Sequence, residues 1–341
     1  MNQPEGPAAG LALVTGAGGH LGANLVRQLV ATGQPVRAML HADAERATLD
    51  GLGVHAVVGD LRDRRFLAGA VTGCTQVYHC AARISTMPGR EAEIFTSNVI
   101  GTRLLLQAAS DAGVTKVVVT SSFSAVGHRP DGTPSDETEP FNPLEPHLPY
   151  EQTKAAAEHE CLKACAEGQT VVIATSTAIL GPNDFKPSRM GRVLLNYARG
   201  RLPAYIAGGF EFVAAQDIAR GHRLAMANGR AGQKYIFSSG FRTMDQIMDT
   251  FHGITLPRRR PLRLSPAVMG GVVTVSLRLG RLVAPNREPL LTPAALRLLR
   301  LSRRADISKA RRELGFEPTP VEAAIEDAWQ DFVTRGMAAR A

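Results

Sequence analysis

The sequence predicts an α/β chain, a doubly wound parallel sheet followed by a smaller C-terminal part. Three observations carry this. From Leu11 to about Ser176, short apolar and mostly β-branched runs alternate with longer stretches of helical periodicity. The runs are apolar throughout rather than alternating, as strands covered on both faces must be. A glycine-rich turn, Thr15-Gly16-Ala17-Gly18-Gly19-His20-Leu21-Gly22, separates the first run from the first helical stretch.

In order, the runs at residues 11–14, 36–40, 54–58, 76–80, 116–121 and 170–174 read as strands, with helices at 22–31, 94–112 and 149–166 between them. After Ser176 the alternation breaks at Gly181-Pro182, Pro187, Gly200, Pro203 and Gly208-Gly209. An apolar, arginine-dotted segment at 267–284 suits an amphipathic pocket cover better than a shallow membrane contact. Residues 306–315 and 320–335 read as helices, the second with an apolar face through Val321, Ala324, Ala328 and Phe332.

Composition narrows the function classes. At 341 residues the chain can bury a large core without two unrelated domains, and 44% hydrophobic with 21% charged residues is ordinary for a globular protein. No stretch approaches the length of an apolar span, so no integral membrane segment is expected. The N-terminal MNQPEGPAAG lacks the basic start and apolar run of a signal peptide, which points to the cytoplasm. Cys74, Cys80, Cys161 and Cys165 are too few and too uneven for a disulfide framework, so reduced thiols and no metal are expected. The net charge of +8 invites a nucleic-acid partner. Its best local support, Arg258-Arg259-Arg260 with Arg263, carries no interleaved aromatics and matches no nucleic-acid module; a solvated basic loop is the expectation.

At the first strand-to-helix turn, the glycines imply a dinucleotide. Gly16 permits the tight turn, Gly19 lets the backbone approach a pyrophosphate, and Gly22 allows close packing of helix on strand. At the end of the second strand an acidic residue would hold the 2′-hydroxyl of NAD, and a basic one would tolerate the 2′-phosphate of NADP. That position is His41, flanked by Arg37 and Arg46, so NADP(H) is favoured over NAD(H), with Asp43 close enough to reverse the preference. Arg37 lies within the strand and either contributes or faces solvent. Asp60 either meets the adenine edge or caps a helix starting at Leu61.

Tyr150 and Lys154 stand four apart on an expected helix, which puts both side chains on one face. An adjacent ammonium and a positive nicotinamide ring would both lower the phenol's pKa and let Tyr150 exchange a proton with a carbonyl or hydroxyl oxygen. The third member should be a hydroxyl at the carboxyl end of a neighbouring strand. Ser122 is the choice, with Ser124 as a second donor to substrate.

Thr15 to Gly22 as TGxxGxxG, Ser122 in Thr120-Ser121-Ser122 and Tyr150-x-x-x-Lys154 together resemble the extended short-chain dehydrogenase/reductase family. Gly59-Asp60-Leu61, His79-Cys80-Ala81-Ala82, Asn98-Val99-Ile100-Gly101-Thr102 and Leu180-Gly181-Pro182 match as well. Within the family, residues 132–138 and 181–187 resemble the dihydroflavonol-reductase-like group and hopanoid-associated sugar epimerases. The resemblance implies a Rossmann-type dinucleotide domain over residues 10–176, after a flexible 1–9. Residues 177–341 would be mainly substrate-binding, with some segments returning to the sheet. It further implies His20 and Leu21 on the pyrophosphate, Asp60 and Leu61 on the adenine, and Cys80, Ala81 and Ala82 on the cofactor ribose. Lys154 would meet the nicotinamide ribose and Tyr150, and the helices at 94–112 and 149–166 would form a homodimer. Ser176 stands where the family usually has proline, and His41 where arginine is frequent.

The family spans ketone reductases, hydroxysteroid-type dehydrogenases, sugar epimerases and sugar dehydratases, which fold alone does not separate. Sugar 4,6-dehydratases carry an Asp-Glu pair where this chain has Phe123-Ser124, which disfavours dehydration. An epimerase grips a nucleotide diphosphate with basic side chains, for which Arg192, Arg199, Arg201 and Arg242 are candidates. The apolar 267–284 segment suggests a less polar small-molecule substrate. The leading expectation is NADPH-dependent ketone reduction, or reverse alcohol oxidation, on a partly apolar hydroxyketone-like compound. A nucleotide-sugar epimerase with bound NAD is the alternative, and a non-catalytic dinucleotide-binding protein the third reading.

Overall fold

The computed structural model describes residues 10–84, 89–129, 131–144, 148–255, 260–265, 297 and 299–338. The expected flexible start at 1–9, the apolar segment at 267–284, and Arg258 and Arg259 lie outside the described residues.

Six strands follow the six apolar runs to within two residues: β1 (Leu11–Thr15), β2 (Val36–Leu40), β3 (His55–Val58), β4 (Cys74–His79), β5 (Lys116–Ser122) and β6 (Val171–Ser176). Beyond them come β7 (Ala178–Leu180), β8 (Ala204–Ile206), β9 (Gly209–Ala214), β10 (Lys234–Phe237), β11 (Gly240–Thr243) and β12 (Leu262–Leu264). The main sheet has seven strands in the order β3-β2-β1-β4-β5-β6-β10, all parallel. The chain winds outward in one direction from β1 and in the other from β4. The crevice beyond the carboxyl ends of these two strands is where such sheets bind ligands.

Both sheet faces are covered, which is why the strands are apolar throughout. On one face α1 (His20–Ala31) and α7 (Ala215–Asn228) pack Leu21, Leu25, Ile218 and Ala225 against Val14, Val118 and Val172. On the other, α2 (Arg64–Val71), α4 (Gly101–Asp111) and α5 (Pro149–Ala166) pack Leu67, Leu105 and Cys161 against Leu13, Val77 and Val117. Adjacent Val117 and Val118 thus serve opposite cores, as the two-residue repeat of a strand requires.

The expected helix at 94–112 differs in one respect. It is divided into α3 (Glu91–Phe95), a π turn over Thr96–Ile100, and α4. The Gly101 N–H reaches five residues back to the Thr96 carbonyl. A Cβ on Gly101 would lie 2.9 Å from Leu61 Cβ, so the widened turn sits at a tight contact with the β3–α2 connection.

The remaining chain forms a second core. Sheet β7-β9-β11 and the pair β8-β12 pack with α6 (Arg189–Ala198), α8 (Met244–Thr255) and α10 (Val321–Thr334), around Leu194, Phe212, Phe251 and Trp329. Val321, Ala324, Ala328 and Phe332 of α10 are buried, the face that the periodicity predicts. Between α8 and α10, α9 (Ser308–Leu314) ends on Gly315 at φ 67°, a left-handed cap suited to glycine.

Candidate active site

The glycine turn is shaped by close approach. Gly16 has φ 65°, and a Cβ there would lie 2.7 Å from Ala81 Cα; a Cβ on Gly22 would lie 2.2 Å from the Gly16 carbonyl oxygen. Only glycine lets α1 start this near β1 and β4. Gly19 stands at the N-cap without a side-chain cap, which leaves the first N–H groups of α1 for a ligand.

His20 opens α1. Its Nε2 lies 3.2 and 3.1 Å from the carbonyl oxygens of Gly181 and Pro182, both acceptors, so Nε2 carries the proton. Nδ1 is buried with no protein partner. Open N–H groups at a helix start fit a pyrophosphate. Together with the glycine cradle, the residues fit a dinucleotide.

The cleft has two lobes that share Gly16, Gly19, Cys80 and Ala82. One, a cavity of about 420 Å³, is lined by His41, Asp60, Leu61 and Ala81. The other, about 500 Å³, is lined by His20, Leu21, Gly22, Ser122, Ser124, Tyr150 and Lys154. The structure therefore brings together every site residue expected from the sequence except Arg37. On β2, Arg37 points to the α2 side, where its Nη1 donates to the carbonyls of Ala70 (2.8 Å) and Thr72 (2.7 Å). Its strand position faces away from the cleft, and the expectation that it assists a 2′-phosphate is corrected accordingly.

Asp60 lies in the first lobe and does not cap a helix. Its carboxylate accepts from the backbone N (2.8 Å), Nε (2.9 Å) and Nη2 (2.6 Å) of Arg62, which hold its pKa down at about 2. The cap of α2 is Asp63, which accepts from Arg65 N and Phe66 N. Asp43 is turned outward to Arg46 at 2.6 Å. A further carboxylate lining this lobe is Glu45, whose Oε2 accepts from His41 N at 3.0 Å and whose Oε1 pairs with Lys186. Sequence reading missed it because the side chain turns back from a 3₁₀ helix, Asp43–Leu49, rather than standing at the strand end.

In the second lobe the residues expected to be catalytic come from two elements. Ser122 ends β5, opposite Ser176 in the register with β6. Its Oγ lies 2.8 Å from Ser124 Oγ, and its side chain is near enough to Tyr150 to lower the phenol's pKa. Pro149 at the helix start and Glu151, which accepts from Leu148 N at 2.7 Å, set the first turn of α5 and so the direction of Tyr150. One turn on, Lys154 is 6% exposed and donates from Nζ to the Thr120 carbonyl at 2.8 Å.

Burial decides both ionisations. It pushes the Tyr150 phenol up to about 12, against the opposing contact from Ser122, and Lys154 down to about 8. The sequence expectation of a phenol lowered by its neighbouring ammonium is thus corrected for the protein's own groups. Desolvation outweighs the Ser122 contact, and Tyr150 is held as a neutral phenol, a proton donor.

Behind the site runs a buried chain of hydrogen bonds with one allowed direction. The Thr102 hydroxyl donates to the Asn98 carbonyl at 2.6 Å, so it must accept from His79 Nε2–H at 2.9 Å. His79 Nδ1 then accepts from the Thr15 hydroxyl at 2.7 Å. Burial takes His79 down to about 3, which keeps it neutral. The Asn98 side chain accepts from Arg83 N (2.7 Å) and donates to Thr153 Oγ1 (3.1 Å) beside Lys154. The chain ties the glycine turn to α5 through the π turn. Thr15, His79, Asn98 and Thr102 all stand in motifs visible in the sequence, but that they bond one another is not.

Comparison with known proteins agrees with this geometry. Residues 12–238 match the model of the NAD dependent epimerase/dehydratase family. The chain is 43% identical to sterol demethylase protein B of Methylococcus capsulatus, over 95% of this chain and 99% of that protein. It is 33% identical to a putative dihydroflavonol 4-reductase of Synechocystis sp. (95% and 94%) and 31% identical to a 3-beta-hydroxysteroid dehydrogenase of Mycolicibacterium neoaurum (91% and 86%). Among solved structures, gox2253 superposes with a TM-score of 0.83 at 32% identity, covering 96% of this chain and 99% of its own. The chain belongs to the NAD dependent epimerase/dehydratase family, in the extended short-chain dehydrogenase/reductase group, and is an NAD(P)-dependent oxidoreductase.

Proposed function

We propose that the protein interconverts a secondary alcohol and a ketone on a bulky, largely apolar, sterol-like skeleton, with Tyr150 as acid and base. The observation that carries this is the wall facing Ser122, Tyr150 and Lys154. Ile84, Phe123, Leu148, Ile179 and Phe210 line the same cavity, a surface suited to fused hydrocarbon rings. Similarity to sterol demethylase protein B and to a 3-beta-hydroxysteroid dehydrogenase supports the reading.

When bound, the nicotinamide supplies or accepts the hydride. Ser122 donates a hydrogen bond to the substrate oxygen and holds it against Tyr150. In the reductive direction the Tyr150 phenol gives its proton to that oxygen as negative charge develops. In the oxidative direction it takes the hydroxyl proton back. Lys154, buried and held at the Thr120 carbonyl, stabilises the phenolate that forms after proton donation. Ser124 supports the Ser122 hydroxyl from 2.8 Å.

The epimerase reading is less well supported. Arg242 is engaged bidentately by Glu322 (2.6 and 3.1 Å), and Arg199 donates to the Met337 carbonyl at 2.6 Å, which removes two of the four cations expected to grip a nucleotide diphosphate. A homodimer over the outer surfaces of α3, α4 and α5, where Phe95 and Leu162 are each 46% exposed, and a cytoplasmic address belong to the same proposal. No described helix is long and apolar enough to cross a membrane.

The test is oxidation of a 3β-hydroxysterol, followed at the reduced-nicotinamide absorbance, in the wild type and in Tyr150→Phe. The variant is expected to lose about 10²–10⁴ in kcat. Undiminished turnover in Tyr150→Phe, or epimerisation of a UDP-sugar without oxidation of any sterol alcohol, would overturn the reading.

A further inference from the structure

Glu45 and Lys186 come from opposite parts of the chain and meet at the mouth of the His41–Asp60 lobe. Glu45 lies against the glycine turn: a Cβ on Gly18 would stand 2.9 Å from Glu45 Cβ and 3.0 Å from its Oε2. The Lys186 pair and the His41 amide hold the carboxylate ionised against a desolvation cost, with its pKa below the ordinary value. Its side chain is 13% exposed, whereas that of Lys186 is 65% exposed.

Lys186 is not placed there by chance of a loose side chain, because its segment is fastened at several points. Asn24 Nδ2 donates to the Pro182 carbonyl (2.9 Å), and Asn183 Nδ2 donates to Asn24 Oδ1 (3.0 Å). Phe185 lies between the guanidinium groups of Arg27 (5.0 Å) and Arg335 (4.8 Å). The segment between β7 and α6 is thereby held across the start of α1, and Lys186 is delivered to Glu45.

The other charged groups of this lobe are already matched. Arg62 is held by Asp60 (2.6 Å) and Arg83 by Glu93 (2.9 Å), so no guanidinium lining the lobe is unpaired among the described residues. Each Glu45 oxygen accepts one bond from the protein and keeps a lone pair for another donor.

We propose that the Glu45–Lys186 pair is the coenzyme discriminator, accepting the neutral 2′-hydroxyl of NAD(H) and rejecting the 2′-phosphate of NADP(H). A ribose hydroxyl donates to the carboxylate and leaves the ion pair intact. A 2′-phosphate, with about two negative charges, must either sit against Glu45 or take Lys186 from it and leave a partly buried carboxylate unpaired. The preference inferred from His41, Arg37 and Arg46 is thereby reversed. The basic member of the device comes from the C-terminal part of the chain rather than from the strand end.

The proposal rests on the cleft holding a dinucleotide but not on the identity of the alcohol, so its test uses binding alone. Dissociation constants for NADH and NADPH are read from nicotinamide fluorescence in the wild type, Glu45→Gln, Lys186→Ala and the double variant. The wild type is expected to bind NADH at least about tenfold more tightly than NADPH. Glu45→Gln, which keeps an acceptor for His41 N, is expected to tighten NADPH about tenfold by freeing Lys186 for the phosphate. The double variant is expected to lose that gain. Tighter binding of NADPH by the wild type, or an NADPH gain that survives removal of Lys186, overturns the proposal. Glu45→Ser repeats the ratio measurement should Glu45→Gln fold poorly.

Discussion

The two lobes of the cleft share a floor of Gly16, Gly19, Cys80 and Ala82 yet are built by different means. The dinucleotide side is made of backbone brought close: a left-handed Gly16 against Ala81, Gly22 against the Gly16 carbonyl, and a hydrogen-bond chain from Thr15 to Asn98 in which each proton has one place. The side beyond Ser122 is made of side chains, with Phe123, Ile179 and Phe210 on separate elements and a second core behind them. A ligand held by backbone N–H groups tolerates little change in the protein that holds it. A ligand held by apolar side chains is selected by shape and is open to redesign.

That contrast is sharpest at Gly22. Valine there would place Cβ 2.2 Å from the Gly16 carbonyl oxygen, and Gly22→Val is expected to weaken NADH binding more than about 100-fold. Fluorescence titration reads this, and affinity within threefold of the wild type would show that the backbone approach does not hold the cofactor.

Lys154, in the second lobe, gives a smaller, pH-dependent effect. Lys154 lies near 8 in the protein against an ordinary 10.5, so the folded chain releases its proton first. With the folded value depressed, raising the pH from about 8 towards 10.5 strengthens the wild type relative to Lys154→Met, and lowering it through 8 removes that advantage. Activity runs the other way, since the ammonium is the working form. The kcat/KM for coenzyme is expected to fall above about pH 8, and a flat profile to pH 10 would separate Lys154 from catalysis.

The smallest change belongs to the substrate side. Phe210→Ala is expected to raise KM for a sterol alcohol about fivefold, roughly 1 kcal/mol of apolar contact, with the coenzyme KM unchanged. An equal rise in both would erase the division between backbone-built and side-chain-built lobes.

Much of the fold was legible because its signals are local. A run of β-branched residues, a glycine turn and a helical stretch each declare themselves within about ten positions, and Tyr150 and Lys154 share a helix face by spacing alone. The apolar face of α10 follows from the same periodicity. Even Asp63, which caps α2, and Gly315, which ends α9, act on their own neighbours.

The coenzyme end of the cleft was not legible for the opposite reason. Strand alternation says that Arg37 and Ala38 point to opposite faces, but not which face a crossover helix will cover; Arg37 went to the α2 side. Glu45 and Lys186 are 141 positions apart, and nothing near either predicts the other. His79 finds Thr15 and Thr102 only because β1, β4 and α4 are neighbours in space. The sequence by itself determined the parallel sheet, the glycine cradle and the shared helix face of Tyr150 and Lys154, all products of short-range sterics and periodicity. Which carboxylates enter the first lobe, which histidine stays neutral and how far burial moves Tyr150 and Lys154 were decided by tertiary structure. Charge pairing and desolvation depend on what the rest of the chain brings within a few ångströms.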